Sequence, residues 1–564
     1  MNNLLRKENI SEYKVLLYLF LFSISYSLSF YGWNEATEWS YIYSNKFEIS
    51  EYNNHYIKAF DTYSLLYILP TYLFDIGINK YVINYIILLT INLVAFFGVF
   101  FLSKLIFGKQ NIATYVLITF LFVSFIDKHG YDLVYPNNYW VFGQFGCYLS
   151  ILTISTNLLN HKKLSFFLLF LLFGTHLVWF SWTTLFFISY VILNRTNFSL
   201  KLFFVYLFLF ILVVFLFKDH FLVTLNYLTY DLNTSVNKLT FDGHNIQIRQ
   251  ESLIDTILFS MNYFRSDILL MVIFYYLYKK NIFIDLVKVI TFLTLILFLM
   301  KMYDAIDFNL VLLNKLNLAG LYIRAIPERF FNFNVILLHL ILIGTAWQSI
   351  NRNYNIKLLL VIFFIALLFL YYLGIRENFR SNLTLQFFIL ILIFSFIFKN
   401  KLNFNILLNK NTQISKYFNS ILLLNFFSLI FLLNFFYSLI DGRFNQFDSL
   451  KNEINERSIN KLILGPYVLV DDFTPILDLE VEGIVPEQSI QVDNEYLYCN
   501  PNQKWNIWYD GITECFNNKT KKDWESIKKY LDIKYILYSN AFPIINDNVK
   551  ILKKGNKFNL YEIK

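Results

Sequence analysis

Charge is scarce in this chain of 564 residues: Asp, Glu, Lys and Arg make up 16% of it, against about 25% in ordinary soluble domains. Cysteine, proline and glycine are few as well, at 3, 8 and 17. These shortages exclude a disulfide-rich secreted scaffold, a low-complexity chain and a collagen-like repeat. Hydrophobic residues fill the space, at 57%. The length would suit roughly four soluble domains of ~150 residues, but so little polar surface could not cover them. The apolar residues are also bunched, as in Leu164–Leu193, and bunches of that length are expected to face lipid. The sequence therefore reads as an α-helical multi-pass membrane protein.

Apolar runs near the length of a bilayer crossing give candidate spans. They are Tyr13–Tyr31, Tyr81–Phe107, Asn111–Ile126, Trp140–Leu159, Leu164–Leu193, Leu202–Phe217, Ser266–Tyr278, Phe283–Met300, Phe331–Ile350, Leu358–Gly374, Leu383–Phe398 and Phe418–Ile440. Leu164–Leu193 is too long for one crossing and carries Gly174-Thr175-His176 near its middle, so two short helices meeting there are expected. That gives about 12–13 transmembrane helices. The first span follows basic residues but lacks a convincing small-x-small cleavage site, and it reads as a retained anchor.

The formal net charge is +8. The tail from Asp441 holds 16 basic and 19 acidic residues, a net of −3, so the preceding 440 residues carry +11. With the N-terminus in the cytoplasm, 18 of those Lys and Arg fall in short cytoplasmic connections, the expected bias for membrane proteins. Nucleic acid is then not expected as a partner, because the basic excess orients the chain. The same arrangement sends 18 of the 21 acidic residues before Asp441 outward. Chemistry, if present, is expected at the outer face.

Two domains are expected: residues 1–440 as the membrane domain, with a first outer loop over 32–80, and residues 441–564 as a small extracytoplasmic α/β or α+β domain. In the latter, Tyr467–Val470 and Lys534–Tyr538 read as strands and Lys522–Leu531 as a helix with Trp524 and Ile527 inward. Val549–Lys553 and Phe558–Ile563 read as a hairpin across Gly555-Asn556. Cys499 and Cys515 lie in the same domain. In an oxidising compartment they are disulfide candidates, with two unpaired thiols as the alternative.

The first outer loop opens Gly32-Trp33-Asn34-Glu35-Ala36-Thr37-Glu38-Trp39. Carboxylates three apart can share one face of a helical turn, and the flanking tryptophans suit the headgroup level. Glu35 or Glu38 is therefore a candidate general base, the plain alternative being two side chains that solvate a loop entrance. Further on, Tyr56–Ile76 mixes apolar residues with Lys58, Asp61 and Asp75, which suits helices lying along the interface.

This order of parts resembles the GT-C superfamily of membrane glycosyltransferases: anchor helix, acidic motif at the start of the first outer loop, interfacial helices, many further spans and an outer C-terminal domain. Members usually carry adjacent acidic residues in that loop, where this chain has Glu35 and Glu38 split. The resemblance implies transfer of a sugar from a polyprenyl-phosphate carrier to an outer acceptor, in a bacterial plasma membrane. A departing phosphate needs fixed cations, for which arginine forks are suited. The outer candidates are Arg324 and Arg329 in Arg324-Ala-Ile-Pro-Glu-Arg329, and Arg376 and Arg380 in Arg376-Glu-Asn-Phe-Arg380. Local pairing with Glu328 and Glu377 is the competing reading.

Asp127, His129 and Asp132 form a third outer cluster, suited to a second acid/base site, to substrate-phosphate binding by His129, or to ligands of the type a divalent cation takes. Plain solvated turns share that composition, and no zinc-type spacing is present. His176, at the expected helix break, is a polar residue at membrane depth and a further candidate. His339 and Gln144 lie within spans, as does Cys147. No phosphate-cradling glycine loop or nucleophile elbow occurs, so no nucleotide is expected as a ligand. The competing functions are a polysaccharide polymerase or ligase, a flippase or transporter of lipid-linked sugars, and a scaffold that has lost catalysis.

Overall fold

The computed structural model describes residues 2–29, 65–126, 142–194, 281–306, 420–440, 448–464, 517–531 and most of 534–564, with short stretches between them. The latter include residues 31, 34, 36–37, 40–41 and 48–49, helical positions at 208, 211 and within 333–347, and strands at 483–486, 491–492 and 495–496. The structure is mostly helical with a small sheet. The helices are α1 (Asn2–Ser29), α2 (Leu65–Asp75), α3 (Lys80–Phe107), α4 (Gln110–Ile126), α5 (Phe142–Leu158), α6 (Lys162–Thr175), α7 (Leu177–Asn194), α8 (Asn281–Ile306), α9 (Ser420–Ile440), α10 (Asp448–Glu456) and α11 (Lys521–Leu531). Among the described residues, α3 alone is long and apolar enough to cross a membrane; Tyr13–Ser29, Gln110–Leu121, Val178–Asn194 and Ile421–Tyr437 are apolar but shorter. The expected spans Leu202–Phe217, Ser266–Tyr278, Leu358–Gly374 and Leu383–Phe398 lie outside the described residues, apart from helical positions at Phe208 and Ile211.

The chain divides into two compact units. The first comprises Met1–Phe30, Leu88–Leu216 and Gln247–Asn434. Its helices enclose an apolar interior that also takes in small polar side chains, and they leave several large apolar ones exposed. Ser23, Ser25, Ser27, Asn92, Thr119, Ser150 and Thr153 are almost fully buried, while Leu17, Phe167, Ile192, Leu299 and Leu433 are exposed. Several buried hydroxyls bond back to their own helices, as Ser23 Oγ does to Leu19 O at 2.8 Å and Thr153 Oγ1 to Leu149 O at 2.6 Å. Amides bridge between helices: Asn92 Nδ2 donates to Ser27 Oγ at 2.9 Å, and Asn434 Nδ2 to Ser29 Oγ at 2.6 Å. Around these bonds Tyr26 meets Phe96 and Phe431 edge-on, with ring centres at 5.0 and 5.2 Å. Edge-to-face geometry of this kind adds to the burial of the rings.

The long apolar run breaks at His176. That residue is extended, at φ −154° and ψ 94°, between the end of α6 and the start of α7. Its N–H still closes α6 on Leu172 O at 2.8 Å, and its carbonyl opens α7 by accepting from Phe180 N at 3.0 Å. Gly146 makes room for this break. A methyl group there would meet Trp179 Cδ1 at 2.5 Å and His176 Cγ at 2.9 Å, so α5 can approach α7 closely because it carries no side chain at that point.

The second unit comprises Tyr31–Ile87, Phe217–Ile246 and Phe435–Lys564. It holds a sheet of β1 (Glu48–Ile49), β2 (Lys461–Leu464), β3 (Gly483–Pro486), β6 (Tyr535–Ser539), β7 (Val549–Lys554) and β8 (Phe558–Ile563), with a separate ribbon of β4 (Gln491–Val492) and β5 (Glu495–Tyr496). The order is β1-β3-β2-β6-β8-β7. The first four strands are parallel, and β6, β8 and β7 are antiparallel neighbours. Parallel and antiparallel pairs thus share one sheet. The expected strand at Tyr467–Val470 lies outside the described residues. The expected helix and hairpin are present as α11, β7 and β8.

A strand from the first loop completes the edge: Glu48 and Ile49 pair in parallel with Gly483 and Ile484. Both faces of β8 are covered: Phe558, Leu560, Tyr561 and Ile563 are buried, as are Trp524 of α11 and Leu450 and Ile454 of α10. Gly555 is required at the hairpin, where a Cβ would sit 2.7 Å from Phe558 O and 2.9 Å from Leu450 Cδ1.

The start of α11 is a reciprocal cap. Thr520 Oγ1 accepts from Asp523 N at 3.3 Å, while Asp523 Oδ2 accepts from Thr520 N and Oγ1, both at 2.7 Å. The bond from the Thr520 hydroxyl, joined by that from its N–H, holds the Asp523 carboxyl below the ordinary carboxylate range. A depressed folded value means that this contribution is present above the unfolded pKa and is lost as pH falls through the folded one. Thr520→Ala should cost about 1 kcal/mol and flatten the acid-side loss, read as faster amide exchange over Lys521–Leu531 at neutral pH and a smaller further change in acid. Gly146→Ala should lower stability by about 1–3 kcal/mol through overpacking against Trp179, read as a lower thermal midpoint; an unchanged midpoint would contradict the close approach.

Candidate functional site

The described residues around the acidic opening of the first loop form one small, fully bonded substructure. It begins with an elbow. Helix α2 ends in a left-handed cap at Gly77, whose φ is +88°, with Ile78 N bonding Leu73 O at 3.0 Å and Gly77 N bonding Phe74 O at 2.9 Å. That bond pair is the Schellman arrangement, which glycine permits without steric cost. Helix α3 starts two residues later, where the Asn79 side chain accepts from Tyr81 N at 2.9 Å and its carbonyl from Val82 and Ile83. Stop and start signals stand side by side, so the angle between the helices is set within three residues.

Residues 34, 36–37 and 40–41 lie against this elbow. Asn34 Oδ1 accepts from Thr37 N at 3.0 Å, the bond that caps a helical turn. Asn84, one turn into α3, takes two more donors on its Oδ1: Asn34 Nδ2 at 2.6 Å and Thr37 Oγ1 at 2.9 Å. Asn34, Thr37, Ser40 and Asn84 are completely buried, and Ala36 nearly so. Toward α2, Ser40 Oγ donates to Tyr67 O at 3.0 Å, Thr71 Oγ1 donates to Ser40 O at 3.2 Å, and Tyr41 meets Phe74 edge-on at 5.4 Å. Tyr31 OH donates to Tyr81 O at 3.3 Å. The turn is thus bonded to both helices.

Glu35 and Glu38 themselves lie outside the described residues. So do Arg324, Arg329, Arg376, Arg380, Asp127, His129, Asp132, Cys499 and Cys515. Among the described residues no group of three or more His, Cys, Asp or Glu could hold a metal ion. His176 is described: its Nδ1 accepts weakly from Trp179 N at 3.4 Å, the geometry of a cap on α7. His339, Gln144 and Cys147 are buried within their helices.

The sequence alone does not single out Asn34, Thr37 and Asn84. A signal did exist, since Asn84 is an amide near the start of a long apolar run, where a polar group calls for a partner. Comparison of the chain with protein-family models, with curated proteins and with solved structures finds no match. Removing the shared acceptor tests the arrangement. Asn84→Ala leaves two buried donors unmet, for a loss of about 1–3 kcal/mol, read as faster amide exchange at Ala36 and Thr37 than at α11; equal rates at both places would refute the network.

Proposed function

We propose that the chain is a multi-pass membrane glycosyltransferase that moves a sugar from a polyprenyl-phosphate carrier to an acceptor at the outer face of the membrane. The observation that carries the reading is the bonding of Asn34 and Thr37, through Asn84, to α3, which among the described residues is the helix long and apolar enough to cross a bilayer. Ala36, Thr37 and Ser40 are buried there, and Glu35 and Glu38 are their neighbours in the sequence. The membrane part of the reading is supported by the first unit, where small polar side chains share the apolar interior and several large apolar ones are exposed.

In the reaction, Glu35 or Glu38 takes the proton from an acceptor hydroxyl as its oxygen attacks the sugar's anomeric carbon. The bond from that carbon to the carrier's phosphate oxygen breaks, and the phosphate leaves with the electron pair. Arg324, Arg329, Arg376 and Arg380 would neutralise the departing charge, which a site shielded from water makes more effective. His176 caps α7 and takes no part in this scheme. The N-terminus would be cytoplasmic and the tail extracytoplasmic, as the basic bias of the short connections favours.

Glu35→Gln and Glu38→Gln should include one variant that inserts and folds yet loses transfer by about 10²–10⁴-fold in a polyprenyl-phosphate-sugar assay. Full transfer by both variants would remove the base assignment.

A further inference from the structure

The break between α6 and α7 gathers hydrogen-bond donors that the fold leaves largely unused. Helix α7 runs for 18 residues, and the first N–H groups of a helix, here those of Leu177 and Val178, have no acceptor within it. Trp179 N reaches only the Nδ1 of the capping His176, at 3.4 Å. Because Nδ1 accepts, the neutral imidazole carries its proton on Nε2 and is a donor there. The indole adds another donor: Trp179 is fully buried, and its Nε1 has no hydrogen-bond partner. These two rings converge. A methyl group on Gly146 would meet Trp179 Cδ1 at 2.5 Å and His176 Cδ2 at 2.9 Å. Those carbons are bonded to Nε1 and Nε2, so both ring N–H groups border one spot where the start of α7 meets α5. The end of α6, by contrast, has its partners, since Leu172 O accepts from His176 N and Leu171 O from Thr175 Oγ1, both at 2.8 Å. No Asp or Glu occurs on α5, α6 or α7 to take up the donors.

We infer that the start of α7 binds the phosphate group of a membrane lipid, held by the Leu177 and Val178 N–H groups, His176 Nε2 and Trp179 Nε1. Donors without acceptors, at the positive end of a helix, select an anion with several oxygens. Depth selects its source. With Lys162 and Lys163 at the cytoplasmic surface, the 14 residues of α6 rise about 21 Å, short of the roughly 30 Å of hydrocarbon in a bilayer. The break therefore lies below the outer headgroups, in a layer that a free ion does not enter. His176 and Val178 are half-buried while Thr175 and Trp179 are buried, so the donors are reached past His176. Leu164 and Phe167 of α6 and Ile188 of α7 are exposed, which gives the helix pair apolar surface for a lipid's tail. This inference rests on the membrane reading above and is independent of the transfer scheme.

The test is equilibrium binding by the full chain in a phosphate-free maltoside detergent, with polyprenyl phosphate, phosphatidate, uncharged polyprenol and inorganic phosphate as probes. Both lipid phosphates should bind and the other two should not. Tighter binding of polyprenyl phosphate marks a carrier site and equal binding a general lipid-phosphate site, and either result upholds the inference. Inorganic phosphate bound as tightly as the lipids overturns it. Trp179→Phe keeps a ring but removes its donor, and Leu177→Pro removes a backbone donor at a position where helices favour proline. Each should weaken binding about tenfold to a hundredfold; unchanged affinity in both overturns the site. In the unmutated chain labelled with nitrogen-15 tryptophan, one indole N–H signal should move downfield with lipid phosphate and not with polyprenol, and the absence of any shift overturns the site even where a variant fails to fold. Alkaline carbonate extraction separates this inference from the reading beneath it. A chain that washes off the membrane ends the membrane reading and this site with it, whereas a chain that stays but binds no lipid phosphate loses the site alone. No arm reads sugar transfer, so the assignment of the base is untouched.

Discussion

One buried amide pair holds residues 34 and 37 against α3. Asn84 offers a single carbonyl oxygen to two donors, Asn34 Nδ2 and Thr37 Oγ1, in a site with no exposed surface. Neither donor could be left unmet there without a cost comparable to the stability of a small helix turn. The turn consequently has one position, and the rest of the local structure inherits it. Tyr31 reaches the α3 backbone, Ser40 and Thr71 tie the turn to α2, and Tyr41 closes on Phe74. Residues 34, 37 and 40 are thus bonded to two helices whose mutual angle is itself fixed by Gly77 and Asn79.

The same rule, that a polar group without water must find a partner, shapes the other unit. Many serines and threonines return their hydroxyls to carbonyls three or four residues back. Others bridge helices, as Ser150 does to Thr183 and Ser165 to Thr153 O, and Asn92 and Asn434 reach serines on other helices. Where the helix does break, at His176, the residue supplies one helix with a last donor and the next with a first acceptor. A break of this kind needs space, and Gly146 provides it.

Features encoded by neighbours along the chain were legible in the sequence. Apolar runs located α3 and α4 to within a residue of their ends, the Gly174-Thr175-His176 triplet marked the break, and the Gly555-Asn556 turn gave the β7–β8 hairpin. Features made by distant partners were not. Asn34 and Asn84 are 50 residues apart, and neither residue alone names the other. A strand of two residues such as Glu48–Ile49 is too short to show alternation, and its partner lies at the far end of the chain. The elbow was visible only in part, because an apolar–polar mixture suggests an interfacial helix but not which face is outward. The proposed bases and arginines were legible as residue types alone, since their roles depend on what surrounds them.

The pairing of Glu48–Ile49 with Gly483–Ile484 also constrains when the protein can become itself. The first-loop strand emerges early, and the strand that receives it follows 435 residues later, on the order of 20–90 s at ordinary rates of synthesis. During that interval the loop has its helices but not its sheet, and the edge that awaits it on β3 does not yet exist. Final closure of this unit is therefore an event of chain completion, with the slow, long-range character that parallel pairing gives to folding. A chain that ends early leaves Glu48–Ile49 without a place to pair, so the integrity of the last strands is reported at the other end of the sequence.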